Sequence, residues 1–65
     1  MENEKYYLQN TDTKFYLKGF THVENIRTPV WTENKNNATY YTELDALRCQ
    51  RQLNKQHQNA VLIEK

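Results

Sequence analysis

Lys5-Tyr6-Tyr7-Leu8-Gln9, the polar tetrad Asn10-Thr11-Asp12-Thr13, and Lys14-Phe15-Tyr16-Leu17-Lys18 together decide how this chain folds. Two runs flanking a turn-forming tetrad read as a β-hairpin. Asn and Asp side chains hydrogen-bond nearby backbone groups, and four residues suit a connection built around a type I turn. Successive side chains on a strand point to opposite faces. Tyr6, Leu8, Phe15 and Leu17 therefore share one side, expected to be the core face. Lys5, Tyr7, Gln9, Lys14, Tyr16 and Lys18 share the other, where tyrosine rings alternate with lysine ammonium groups.

Beyond the hairpin, Gly19 is expected to end the second strand or to mark a bulge. From Phe20 to Pro29 the pattern weakens, with Val23 and Ile26 as apolar anchors among polar residues. Thr28 precedes a proline and is biased toward extended geometry. Val30-Trp31-Thr32 reads as a short third strand, with Pro29 tolerated at its start or on an edge. Residues 33–37 form a polar loop, Glu33-Asn34-Lys35-Asn36-Asn37.

The helix has the clearest local signals. Thr42 is a good N-cap and Asp45 follows at the third position, a capping-box variant. Tyr41 and Ala46 occupy the positions of a hydrophobic staple. Glu43 and Asp45 lie in the first turn and Arg48, Arg51 and Lys55 later, the order the helix dipole favours. Ala46, Cys49 and Leu53 share one face, with Leu47 widening it. The β-branched, apolar run Ala60-Val61-Leu62-Ile63 reads as a last strand, buried between neighbours in the sheet. The order β-β-β-α-β implies a small α+β, two-layer domain, an antiparallel-rich sheet with one helix packed on one face.

Sixty-five residues suffice for a single domain spanning 1–65, with residues 1–4 expected to be disordered. One cysteine excludes an internal disulfide, and two separated histidines with it make no four-ligand zinc set. No metal or cofactor is expected. A chain this short often gains stability from a disulfide, a metal or a partner subunit, so self-association becomes the expected supplement. The formal charge of +1 supplies no strong field toward nucleic acid or anionic membrane. No apolar run approaches the roughly 20 residues of a membrane span, and the acidic, polar start is unlike a secretory signal. Asn37-Ala38-Thr39 matches the glycosylation sequon, read as a chance match without an export signal. The expected location is the cytoplasm.

Enzymatic readings find little support in the residues. Cys49 falls on the apolar helix face, where a cysteine behaves as a small inert hydrophobe. His57 suits the helix C-terminus, and His22 has no evident partner. One glycine cannot build a phosphate-binding loop. A catalytic pocket for a small-molecule substrate is large against so small a core. The expected activity is therefore binding, either to a protein partner or to a second copy. The expected contact surface comprises Lys5, Tyr7, Lys14, Tyr16, Lys18, Phe20 and Trp31, whose aromatic members are residue types enriched at interface centres. Trp31 has a second reading as the core anchor. Nucleic acid is the alternative partner, through stacking on the tyrosines or through the helix stripe Arg48, Arg51 and Lys55.

Val30-Trp31-Thr32-Glu33-Asn34, then Ala38-Thr39-Tyr40-Tyr41-Thr42, then Leu44-Asp45-Ala46 entering a helix resembles a pattern in short uncharacterised accessory proteins of Gram-positive bacterial phages. The likeness covers residues 30–63. In those proteins a W-T-x-N strand end leads to an alanine, an aromatic residue and a helix with alanine near its start. The resemblance implies an accessory protein that binds a host or phage macromolecule, and it supplies no active site.

Overall fold

The computed structural model describes residues 5–64, so the expectation for residues 1–4 lies outside the described residues. Within these residues, four strands and a helix occur in the order β1 (Tyr6–Asn10), β2 (Tyr16–Val23), β3 (Ile26–Thr32), α1 (Glu43–Lys55) and β4 (Ala60–Glu64). A 3-10 turn, Lys35–Asn37, interrupts the long β3–α1 connection. The sheet is antiparallel throughout, in the order β3-β2-β1-β4, with α1 across one face. This is the expected α+β class and element order.

Alternation places the first core residues as expected. Leu8 and Leu17 face the helix and are fully buried with Leu53 and Ala46, while Ala60 closes the cluster from β4. Burying each leucine contributes about 1.5–3 kcal/mol. Tyr6, Tyr41, Cys49 and Leu62 pack around this centre. Phe15 lies just outside β2 and is only half-buried.

The β1–β2 turn is built by Asn10, the one buried polar residue among those described. Its Oδ1 accepts from the backbone N–H groups of Asp12 (2.8 Å) and Thr13 (3.0 Å), and its Nδ2 donates to Gln58 Oε1 at 3.4 Å. Lys14 completes the turn in the left-handed region, with φ 68°.

Four expectations need correction. The segment from Phe20 to Pro29 is regular: β2 and β3 form a second hairpin, closed by Glu24 and Asn25 at φ 50° and 68°. Positive φ at both central residues gives the type I′ geometry that matches strand twist. Second, the β2–β3 register shifts between Leu17 and Gly19, leaving Lys18 as the extra residue of a β-bulge. The bulge fulfils the reading of Gly19 but reverses the parity of the later strand residues. Leu17 pairs with Trp31 and Phe20 with Pro29, so Phe20 and Trp31 turn to the helix side and pack on the core. Trp31 is thus a core anchor rather than part of the far face.

Third, β4 lies at a sheet edge, paired with β1 alone among the described strands, rather than between two neighbours. Fourth, Val23 and Ile26 are not core anchors but are 63% and 62% exposed. Leu47 likewise widens no buried face, being 45% exposed.

Beyond the pair Gln9↔Tyr16, β1 and β2 separate, and the chain entering α1 fills the gap. Thr39 donates its N–H to Leu17 O (3.2 Å) and its hydroxyl to Lys18 O, covering the bulge carbonyls. Tyr41 exchanges backbone hydrogen bonds with Tyr6, at 2.7 and 3.0 Å. The chain thereby passes through the sheet, from the far face to the helix face.

Candidate functional site

The far face of the sheet divides into a covered half and an open half. In the covered half, Tyr7 meets Tyr16 and Tyr40 edge-on, with ring centroids 5.2 and 5.7 Å apart. Edge-to-face geometry sets the positive rim of one ring against the negative face of another. Lys35, carried by the 3-10 turn, places its ammonium 5.2 Å from the Tyr7 ring centroid. A hydrogen bond with Tyr7 is the first cause that holds the Lys35 pKa above its ordinary value. Tyr7 is consequently 5% exposed, a second small core rather than a docking residue.

The expected contact residues are therefore dispersed. Lys5, Lys14 and Lys18 are exposed, Tyr16 is half-buried, Tyr7 is covered, and Phe20 and Trp31 belong to the helix side. Lys35 and Tyr40 complete the aromatic cluster but sit in the connection to the helix. No period-two reading of the strands could have brought them there.

The open half is the β2–β3 ribbon. Every residue from Thr21 to Thr28 is exposed, although the strands remain paired through Val23↔Ile26. The register puts Val23, Ile26, Thr21, Thr28 and Val30 on the far face. A methyl group added at Gly19 would meet open space, so the face is shallowest there. On the other side, Arg27 stacks over Phe20 at 4.6 Å, and Gln56 Nε2 donates to Arg27 O at 2.6 Å. The Gln56 bond ties the ribbon to the end of α1 on that side and leaves its far face clear. The β-branched residues Thr21, Val23, Ile26, Thr28 and Val30 were the sequence signal for it.

A shallow cleft of about 260 Å³ lies between the ribbon and α1, lined by Arg27, Tyr41, Asp45, Arg48, Cys49 and Gln52. Burial pushes the Tyr41 hydroxyl up to about 12, and it raises the Cys49 thiol as well. Neither group is poised as a nucleophile or base near neutral pH. Among the described residues, no three His, Cys, Asp or Glu side chains are grouped to hold a metal ion, and no helix is long and apolar enough to cross a membrane. The stripe Arg48, Arg51 and Lys55 is exposed, with Arg48 3.8 Å from Asp45 in a helical i,i+3 pair.

Compared with protein-family models, curated proteins and solved structures, the chain matches none.

Proposed function

We propose that this chain is a small non-enzymatic protein-binding module, an accessory protein of phage or mobile-element type that works in the cytoplasm by occupying a surface of a macromolecular partner. The observation that carries this reading is the pair Val23 and Ile26, 63% and 62% exposed at the tip of a hydrogen-bonded ribbon. Two β-branched side chains on an already ordered hairpin lose little entropy on docking, so their burial goes largely into affinity. Thr21, Thr28 and Val30 extend the same face toward the half-buried Tyr16.

The test is the double substitution Val23→Glu and Ile26→Glu. Both side chains are exposed, so the circular dichroism spectrum is expected to stay folded. Affinity capture from the native host, quantified by mass spectrometry, should lose the partner that the unaltered chain retains. Undiminished capture removes the ribbon from consideration.

Nucleic acid is the second reading, supported by the exposed cations Lys14, Lys18 and Lys35 around the aromatic half of the face. Phosphate contacts weaken steeply with salt, so a gel shift at two salt concentrations separates the readings. The absence of a shift at low salt ends this one.

A further inference from the structure

The two edges of the sheet are built differently. On β3, Pro29 offers no N–H to an incoming strand. The opposite edge, β4, is the apolar run Ala60-Val61-Leu62-Ile63-Glu64 with no proline and no bulge. Thr11 N–H donates to Asn59 O at 2.9 Å, which sets the alternation along this pair. Asn59, Val61 and Ile63 direct their backbone groups to β1, while Ala60, Leu62 and Glu64 direct theirs outward. Of these, the Ala60 carbonyl accepts from Gln50 Nε2 at 2.9 Å, which leaves a carbonyl lone pair to spare.

We infer that β4 pairs antiparallel with β4 of a second copy about a two-fold axis at Leu62, joining two sheets into one of eight strands. This register opposes Leu62 with its counterpart and Ala60 with the other copy's Glu64. On the far face, Val61 of each copy meets Ile63 of the other. Val61 is 40% exposed in the single chain and gains a cross-strand apolar partner.

The helix carries the second, independent half of the match. Glu43 accepts from the hydroxyl of Tyr6, which pairs with Glu64, and Gln50 reaches Ala60. Helix and strand are therefore antiparallel neighbours, with Leu47 level with Leu62. Because α1 packs on both β1 and β4, the axis would set the two helices roughly 10 Å apart, within packing distance. Leu47 is 45% exposed and shares the helix flank of Glu43 and Gln50, which reach Tyr6 and Ala60, so it would face that gap. Glu43 and Arg51 stand four residues either side of it on the same flank. An antiparallel helix pair centred on Leu47 places Glu43 of each copy against Arg51 of the other. A self-complementary charge pattern of this kind selects a second copy over an arbitrary strand.

Sedimentation equilibrium from about 10 μM to about 1 mM tests the inference over a range suited to a small interface. The chain is expected to pass from 7.9 kDa to twice that mass. Leu47→Glu should hold it monomeric with an unchanged circular dichroism spectrum. Arg51→Glu should weaken dimerisation by about tenfold, and adding Glu43→Arg should restore it. A monomer at every concentration overturns the inference. So does a dimer indifferent to Leu47→Glu, or one that the double charge reversal fails to rescue. The ribbon tip takes no part, so Val23→Glu with Ile26→Glu should leave the dimer intact whatever becomes of partner capture.

Discussion

At the scale of single residues, Asn10 has the largest local consequence. One amide side chain accepts from two turn N–H groups and reaches Gln58, tying the first turn to the chain entering β4. Replacing it by alanine leaves those donors without their partner, and Asn10→Ala is expected to destabilise the domain by about 2 kcal/mol in urea unfolding. Tyr41 sets a different dependence. Its hydroxyl is held above the ordinary value of 10, at about 12, first by burial and then by the neighbouring Cys49. A proton held more tightly in the folded state stabilises it fully below pH 10, and that contribution is lost as pH rises through 10 toward 12. Stability measured across this window should fall, and Tyr41→Phe should flatten the decline. An equal slope in that variant would assign the effect to other groups.

At the scale of elements, both ends of α1 are finished locally. Thr42 Oγ1 accepts from Asp45 N–H at 3.3 Å, as its sequence position implied. At the other end, Gln58 N–H reaches Leu53 O at 2.9 Å and His57 N–H reaches Asn54 O at 3.1 Å, a Schellman closure. His57 holds the left-handed position, with φ 61°, where glycine is usual. His57→Gly is expected to stabilise the domain by about 0.5–1 kcal/mol, read as a rise of several degrees in thermal midpoint. The β2–β3 hairpin escaped the sequence reading because Glu24-Asn25 is not a usual type I′ pair and the bulge breaks the alternation around Lys18. Its strands were nonetheless written in the β-branched residues from Thr21 to Val30.

At the scale of the molecule, the departure from a simple two-layer sandwich is the passage of residues 39–41 between β1 and β2. One connection thereby covers Tyr7 on the far face, caps the bulge and delivers α1 to the near face. The open surface moves away from the tyrosines to the ribbon tip, and the expected contact set of Lys5, Tyr7, Lys14, Tyr16, Lys18, Phe20 and Trp31 does not form one patch. Two distinct exposed surfaces stand out among the described residues, the ribbon tip on β2–β3 and the edge of β4. They lie at opposite ends of the strand order, so one could engage a partner while the other joins two copies.

Local chemistry alone determined the first hairpin, the helix and the last strand. Strand alternation put Leu8 and Leu17 on one face, turn chemistry placed the first hairpin, and Thr42 with its acidic first turn started the helix. These depend on neighbours a few residues apart, which a sequence displays directly. Only the tertiary structure decided that Phe20 and Trp31 turn inward, that Lys35 and Tyr40 cover Tyr7, and that β4 is an edge. Each depends on which distant backbone groups pair, and one extra residue at Lys18 suffices to exchange the faces of the β2–β3 residues beyond it.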